Sequence, residues 1–201
     1  MDAATAVPTP ANERVLAYRP GSPERAVLEG RLMELAAERL ELTAAIGVER
    51  RLGSGEPIDV VQPHNRRHVL GTLRNSTRTD AQAAIDAALA AAPAWRRLSF
   101  DDRAAVFLKA AELMAGPWRA TLNAATMLGQ SKTAIQAEID SACELIDFWR
   151  LNVHFARRLL AEQPASSRGT WNRMDHRPLE GIVCAITPFN FKLALNCGNA
   201  V

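Results

Sequence analysis

The stretch TAIQAEIDSACELIDFWRLNVHFARRLLAE, residues 133–162, has the longest helical pattern in the chain. Its apolar residues recur every three or four positions, which is the spacing of one face of an α-helix. One apolar stripe consists of Ile135, Ile139, Ala142, Ile146, Trp149 and Val153. A second, roughly opposite stripe consists of Leu145, Phe148, Leu151, Phe155 and Leu159. A helix with two apolar stripes is expected to pack on two sides rather than to lie on the surface.

Shorter helical patterns precede this stretch, at residues 22–35, 79–92, 99–116 and 117–128. Ser22 and Ser99 are suited to cap the amino-terminal ends of the first and the third. Thr79 and Gln82 have the spacing of a capping box for the second. In the second helix we expect the inward residues to be Ala81, Ala84, Ile85, Ala88 and Leu89. In the third we expect them to be Val106, Phe107, Ala110, Leu113 and Met114.

Strand patterns are short and lie on either side of these helices. The sequence PIDVVQPHNRRHVLGTL predicts two strands, at about 57–61 and 69–73, around a Pro-His-Asn turn. The unbroken apolar run GIVCAIT predicts a buried parallel strand at 182–187. Between the long helix and this strand, the polar residues 164–177 predict an exposed β-hairpin arm.

Composition excludes several classes of protein. The chain has 201 residues, 48% of them hydrophobic and 23% charged, as in ordinary globular proteins. Its net charge is +2 with both signs interleaved, so it lacks the basic surface that nucleic acids or anionic membranes require. The three cysteines, Cys143, Cys184 and Cys197, fit no metal motif and indicate a reducing compartment. The start of the chain has no secretory or transit signal, and no apolar run is long enough to span a membrane, so a cytoplasmic location is predicted.

Asn190 follows the last predicted strand. In open α/β sheets, ligands bind beyond the carboxyl ends of the strands, which is where Asn190 is expected. Its amide can donate a hydrogen bond to an oxygen that gains charge in a transition state. Phe189 and Phe191 flank it and can exclude water. The alternative is that Asn190 only caps a turn, and the local pattern by itself favours that interpretation.

Glu144 is the second candidate site residue. On a helical wheel it falls beside Phe148 and Phe155, at the edge of an apolar face. It also borders a polar strip that contains Asp140 and Asp147. A carboxylate in this position can receive a substrate ammonium group. The alternative is a solvated helix edge, because carboxylates are mostly exposed.

Other reactive side chains indicate no site. Cys197 has no neighbouring base or orienting residue in the sequence, and a thiol needs such a setting to act as a nucleophile. His64 and His68 are four residues apart but flank a turn, so no metal site is expected. Gly53 and Gly55 lack the third glycine of a dinucleotide-binding motif.

Four segments carry a family resemblance: ATMLGQSKTAIQAEIDSACELIDFWRLNVHFARRLL, WNRMDHRPLEGIVCAITPFNF, DVVQPHNRRHVLGT and LMAGPWRATLNAA. Together they resemble the amino-terminal third of the 1-pyrroline-5-carboxylate dehydrogenases, a family within the aldehyde dehydrogenase superfamily. The likeness runs from about residue 15 to residue 191, and the combination of GQSKT, AEID and ELIDF with RPLEG and PFNF is specific to this branch. It implies the α/β class, as the amino-terminal part of an aldehyde dehydrogenase fold, helix-rich with short strands and the start of a Rossmann-like sheet.

The resemblance implies an enzyme activity, the NAD-dependent oxidation of L-glutamate γ-semialdehyde to L-glutamate in proline degradation. In that family a cysteine attacks the aldehyde, hydride passes to NAD and water releases glutamate. NADP is not excluded, because the residues that read the cofactor ribose would lie beyond residue 201. The implied partners are a small aldehyde substrate and further copies of the same protein. Residues 164–177 match the arm that such enzymes use to pair subunits.

The same resemblance implies roles for individual residues. Asn190 matches the asparagine that stabilises the developing oxyanion. Glu144 and Phe191 match residues of the substrate pocket, with Glu144 facing the amino group of the substrate. The segment that lies along the cofactor is matched by Ile186, Thr187, Pro188 and Phe189.

The resemblance also divides the chain into an amino-terminal segment (1–163), a hairpin arm (164–177) and a first Rossmann-like strand with the active-site turn (178–201). After Phe191 the sequence KLALNCGNAV departs from the family, and no cysteine matches the family's nucleophile. We therefore expect a fragment that is inactive by itself. The alternative is a degenerate fragment or a non-catalytic interaction module, pairing through the long helix and the arm.

Overall fold

The structure, a computed structural model, describes residues 9–186. Its helices are α1 (Pro23–Ala37), α2 (Arg78–Arg97), α3 (Phe100–Ala115), α4 (Arg119–Gln130), α5 (Ala134–Ala137), a π-helical segment (Glu138–Cys143) and α6 (Glu144–Ala161). Its strands are β1 (Leu40–Leu42), β2 (Ala44–Ile46), β3 (Glu49–Arg51), β4 (Pro57–Gln62) and β5 (Asn65–Arg74). Helices dominate this part of the chain, and none of those within residues 9–186 is both long and apolar enough to cross a membrane.

The larger sheet has three strands in the order β1-β5-β4. β5 pairs antiparallel with β4 and parallel with β1, where Gly71 lies opposite Leu40. Gly71 is needed there, because a Cβ atom at this position would lie 2.4 Å from the Leu40 carbonyl oxygen. β2 and β3 form a separate antiparallel pair. β4 and β5 confirm the two predicted strands, whereas the three-residue strands β1 to β3 were not predicted, since three residues are too few to show alternation.

Two predicted helix caps are confirmed. The Ser22 hydroxyl accepts a hydrogen bond from the backbone N–H of Arg25 at 3.4 Å, and Pro23 is the first residue of α1. The Ser99 hydroxyl accepts one from the backbone N–H of Asp102 at 3.1 Å. Caps are local signals, so these helix starts can be placed from sequence alone.

The predicted capping box at Thr79 and Gln82 is wrong. α2 begins at an earlier residue, and the Asp80 carboxylate accepts a hydrogen bond from the backbone N–H of Thr77 at 2.8 Å. Asp80 also accepts one from the backbone N–H of Ser54 at 3.0 Å. This contact with the preceding loop favours the earlier start, and helical periodicity does not reveal it.

α5, the π-helical segment and α6 follow one another without a break over residues 134–161, close to the predicted helix at 133–162. The π-helical segment was not predicted. A π-helix inserts an extra residue, which rotates the faces after it relative to those before it. Ile135 and Ile139 were predicted to point inward, but they are 42% and 39% exposed. Both lie before Cys143, the last residue of the π-helical segment, so the extra residue rotates them away from the face that holds Ala142 and Ile146. The buried members of that stripe are Ala142, Ile146 and Val153.

Two apolar clusters form the core of the described residues. The first joins the extended amino-terminal segment to α1 and α4, and its buried members are Tyr18, Leu28, Leu35, Ala124 and Leu128. The second joins α3 to the long helix, and its buried members are Ala111, Ala142 and Ile146. The long helix is therefore central, as predicted, although Phe155 and Leu159 of its second stripe are exposed.

The inward face predicted for α2 is wrong for most of its residues, whereas the face predicted for α3 is wrong at Val106 and Leu113 but partly buried at Phe107, Ala110 and Met114. In α2 the stripe that includes Leu89 is mostly exposed, and the buried residue is Asp80. In α3 Val106 and Leu113 are exposed, whereas Ala104 and Ala111 are buried. Small side chains let α3 approach its neighbour closely, so the contact face is chosen by packing rather than by the size of the apolar residues.

The segment after α6 differs from its prediction as well. Residues 164–177 contain a tight turn closed by one antiparallel bridge, Ser167 to Thr170, instead of a two-stranded hairpin. The strand predicted at 182–187 is wrong over its described part, since residues 182–186 are irregular and Val183 is 81% exposed. A strand needs a hydrogen-bonded neighbour, and no strand within residues 9–186 pairs with this segment.

Candidate active site

Glu144, the predicted ligand of the substrate ammonium group, lies within the described residues. It is the first residue of α6, directly after the π-helical segment, and it is half-buried. Burial raises its pKa, and the nearby carboxylates of Asp140 and Asp147 raise it further, while Lys132 acts in the opposite direction. Lys132 itself is paired with Asp140. Three carboxylates close together on one helix attract a cation, so this position suits an ammonium group.

A second carboxylate, Glu138, lies fully buried at the start of the π-helical segment. Its Oε1 atom accepts a hydrogen bond from the backbone N–H of Leu16 at 2.8 Å. Its Oε2 atom accepts hydrogen bonds from the Tyr18 hydroxyl at 2.8 Å and from Asn123 Nδ2 at 2.7 Å. Arg119 forms an ion pair with the same carboxylate. Burial raises the pKa of Glu138, but the hydrogen bonds led by Arg119 outweigh it and hold the pKa below its usual value.

Arg119 extends this network to the amino-terminal segment. Its Nη1 atom donates to Glu13 Oε1 at 2.7 Å, and its Nη2 atom donates to the carbonyl oxygen of Arg14 at 2.6 Å. Glu13 Oε2 in turn accepts a hydrogen bond from Arg150 Nη1 at 2.6 Å. Charged groups with this little exposure need such pairing, and the network supplies it for both signs of charge.

Asp147 binds the extended amino-terminal segment to the first turn of α6. Its Oδ1 atom accepts a hydrogen bond from the backbone N–H of Glu13 at 2.6 Å. Its Oδ2 atom accepts one from Asn12 Nδ2 at 2.8 Å. The extended segment before α1 therefore contacts the long helix on both sides of Glu144, at Glu138 and at Asp147.

Cys143 is buried inside this network and is not set up as a nucleophile. Burial raises the pKa of its thiol to about 12, and the charge of Glu138 contributes in the same direction. Its Sγ atom lies 3.7 Å from Glu138 Oε1. A thiol in this environment stays protonated at neutral pH, so Cys143 acts as a buried core residue.

Sequence reasoning missed Glu138, Arg119, Tyr18 and Asn123. Some signals were present, because Glu138 lies four residues before the inward Ala142 on the long helix. A carboxylate on an apolar face needs a partner, and Arg119 and Asn123 share one face of α4 by their spacing. The contact with Tyr18 had no such signal, since it joins residues 120 positions apart.

Most of the other predicted site residues lie outside the described range, namely Thr187, Pro188, Phe189, Asn190 and Phe191. Ile186 is described and is 89% exposed at the end of the irregular segment. His64 and His68 are not brought together: His64 Nδ1 lies 2.7 Å from Ser131 Oγ, and His68 Nε2 lies 2.8 Å from the carbonyl oxygen of Ala36.

An open apolar groove of about 360 Å³ lies between α3 and α6. Its walls include Trp95, Phe107, Val153 and Leu160. Neither Glu144 nor Glu138 is among its lining residues, so the groove is separate from the acidic site.

Comparison with protein families gives one extended match. The profile described as the aldehyde dehydrogenase family matches residues 51–201. Among curated proteins, the Delta-1-pyrroline-5-carboxylate dehydrogenase of Agaricus bisporus is 43% identical over 188 residues, which is 92% of this chain and 34% of that protein. The mitochondrial Delta-1-pyrroline-5-carboxylate dehydrogenase of Bos taurus is 46% identical over 181 residues, 90% of this chain and 32% of that protein.

Solved structures agree with these matches. The crystal structure of the Delta-pyrroline-5-carboxylate dehydrogenase from Mycobacterium tuberculosis bound with NAD superimposes with a TM-score of 0.92 and 59% identity. The match covers 96% of this chain and 36% of that one. The chain thus spans about a third of the length of the curated relatives that it matches. Both of these curated relatives are named as dehydrogenases, which does not favour a non-catalytic interaction module.

Proposed function

Because this chain belongs to the aldehyde dehydrogenase family, we propose that the protein containing it oxidises an aldehyde to a carboxylic acid with NAD. The observation that carries the proposal is the 59% identity and TM-score of 0.92 with an enzyme crystallised with NAD. The chain spans about a third of such enzymes, so their activity enters as a proposal for the whole protein.

The proposed substrate is L-glutamate γ-semialdehyde, which places the reaction in proline degradation. Glu144 supports this choice, because a half-buried carboxylate beside Asp140 and Asp147 suits the substrate's ammonium group. An aldehyde without an amino group would give the half-buried Glu144 carboxylate no cation to bind, and a buried charge without a partner is costly. Phe191 is proposed as a wall of the same pocket.

NAD, when bound, supplies the hydride acceptor. Residues 186–189 are proposed to lie along it, and the exposed, apolar Ile186 side chain fits an apolar contact with a dinucleotide. Asn190 is proposed to donate its amide hydrogen to the substrate oxygen as that oxygen gains negative charge. Such a donor acts mainly on the transition state, so its loss is expected to lower kcat more than it raises KM.

Two further properties of the whole protein are proposals. Self-association through residues 164–177 is supported by the exposure of this segment, in which Trp171 is 77% exposed. A cytoplasmic location is supported by the free cysteines Cys143 and Cys184, since unpaired thiols persist in a reducing compartment.

The test measures NADH formation by the purified protein that contains this chain. The two substrates are L-glutamate γ-semialdehyde and glutarate semialdehyde, which has the same carbon chain without the amino group. We expect NADH with both and a clear preference, as kcat/KM, for the amino-bearing aldehyde. If neither substrate gives NADH, the proposed activity is wrong. If the two substrates have equal kcat/KM values, the proposed role of the ammonium group is wrong.

A further inference from the structure

The π-helical segment determines the direction in which Glu144 points. It occupies Glu138–Cys143, and Glu144 is the next residue. One residue inserted into a helix turns everything after it by about 100°, because a regular turn holds about 3.6 residues. If these six residues were regular α-helix, Glu144 would therefore lie on another face. The position of the proposed ammonium-binding carboxylate depends on this local irregularity.

The side chain of Glu138 holds the first residue of this segment in place. Its carboxylate is contacted by donors from two other parts of the chain, the amino-terminal segment and α4. Those donors are the Leu16 backbone N–H, the Tyr18 hydroxyl, the Arg119 guanidinium and Asn123 Nδ2. A second buried contact, 2.6 Å between the hydroxyl oxygens of Thr126 and Ser141, joins α4 to the middle of the segment. The irregular turn is thus fixed along its length by α4.

The helix is also held just after Glu144. Asp147 binds the amino-terminal segment through the backbone N–H of Glu13, and Glu13 is paired with Arg119. The same arginine therefore connects the contacts before and after Glu144. A rotation of Glu144 about the helix axis would break bonds at Glu138, at Asp147 or at both.

We infer that Glu138 is a positioning residue: with Tyr18, Arg119 and Asn123 it holds the π-helical segment in the geometry that directs Glu144 toward the ammonium group of the substrate. This inference rests on the proposed function, but it assigns no chemistry to Glu138 itself, which is fully buried. Stability alone does not account for the arrangement, because buried ion pairs can often be replaced by apolar residues without loss.

Two variants test the inference in the whole protein. Tyr18→Phe removes one hydroxyl, which donates to Glu138 at 2.8 Å and accepts from Asn123 at 2.9 Å. Glu138→Gln keeps the shape but removes the charge opposite Arg119. For both we expect KM for L-glutamate γ-semialdehyde to rise about fivefold or more, since a buried hydrogen bond is worth about this factor in an equilibrium. KM for glutarate semialdehyde and kcat for both substrates are expected to stay within about twofold.

Asp80→Asn is the matched control. Asp80 is a buried carboxylate with hydrogen bonds to Thr77 and Ser54, and it lies in α2 rather than on the long helix. This variant is expected to lower stability without changing the preference between the two aldehydes. If folded Tyr18→Phe keeps the wild-type preference, or if Asp80→Asn shifts it equally, the inference is wrong while the proposed function stands.

A measurement that does not depend on enzyme activity distinguishes a wrong inference about Glu138 from a wrong proposed function. Amide hydrogen exchange is expected to accelerate in peptides covering residues 139–147 of Tyr18→Phe and to remain unchanged there in Asp80→Asn. Unchanged exchange in Tyr18→Phe overturns the positioning role, whatever the enzyme assay gives. A wild-type protein that forms no NADH, together with accelerated exchange in the variant, overturns the proposed function and leaves the structural coupling in place.

Discussion

The Arg119 guanidinium and the Glu138 carboxylate form a buried ion pair that joins α4 to the π-helical segment. Their side chains are 10% and 0% exposed. Tyr18, from the extended segment before α1, donates a hydrogen bond to the same carboxylate. Three separate parts of the chain meet at this pair, so its loss affects the fold as well as the candidate site.

Arg119→Met is expected to lower the free energy of unfolding by about 3–5 kcal/mol. The methionine keeps much of the volume but leaves the Glu138 charge buried without its cation, which is the costly way to break such a pair. Chemical denaturation followed by circular dichroism measures the change. The control is Lys109→Met, because Lys109 pairs with Glu112 at 3.0 Å and both side chains are more than 60% exposed. Its effect is expected to stay below about 1 kcal/mol, and equal losses in the two variants would show that the Arg119 pair behaves as a surface pair.

Gly71→Ala is expected to destabilise the junction of β1 and β5. Its Cβ would lie 2.4 Å from the Leu40 carbonyl oxygen, so one of the two strands has to move. Steric insertion of this kind costs about 1–3 kcal/mol. Gly30→Ala is the control within α1, where nothing lies within 4 Å of the new Cβ and alanine favours the helix by about 0.5–1 kcal/mol. The midpoint temperature of thermal unfolding should therefore fall in Gly71→Ala and rise in Gly30→Ala. A higher midpoint in Gly71→Ala would contradict the tight approach of β5 to β1.

The parts of the fold that were predictable follow from local signals. Ser22 and Ser99 cap their helices as expected, and the long helix has nearly the predicted bounds. The α/β class and the family resemblance are confirmed by the profile match and by the superposition. Caps, breakers and sequence motifs involve residues close together in the chain, so they can be recognised without knowing the tertiary structure.

The parts that failed depend on tertiary contacts. The inward face of α3 is set by the close approach of Ala104 and Ala111, not by the larger Val106 and Leu113. The π-helical segment is held by side chains from α4 and from the amino-terminal segment. The roles of Glu144, of Asn190 and of residues 186–189 rest on the family resemblance and stay predictions. The network behind Glu144 joins residues more than 100 positions apart, beyond the reach of any local pattern.

The cysteines are expected to differ in reactivity. Cys143 is buried with its thiol pKa raised to about 12, so almost no thiolate exists at neutral pH, whereas Cys184 is exposed. Brief treatment of the native protein with iodoacetamide, followed by peptide mass spectrometry, should label Cys184 and leave Cys143 unmodified. Denaturation should remove the difference, which is the control for peptide recovery. Rapid labelling of Cys143 in the native protein would mean that the surrounding network opens readily.

The preference for the amino-bearing aldehyde should depend on pH through Glu144. Burial and the neighbouring Asp140 raise its pKa above the ordinary 4.5, so the carboxylate takes up a proton at a higher pH than an exposed glutamate. The protonated form does not attract an ammonium group. The ratio of kcat/KM between L-glutamate γ-semialdehyde and glutarate semialdehyde is therefore expected to fall as the pH is lowered through this pKa.

Two variants test whether this pH dependence comes from Glu144. Glu144→Gln should abolish it and raise KM for the amino-bearing substrate about tenfold to a hundredfold, as expected for a lost hydrogen bond to a charged group. Asp140→Asn removes a charge that raises the pKa of Glu144, while Lys132, whose charge lowers that pKa, is unchanged. The fall in preference should then move to lower pH. A fall that persists in Glu144→Gln, or that stays in place in Asp140→Asn, would assign the titration to a group other than Glu144.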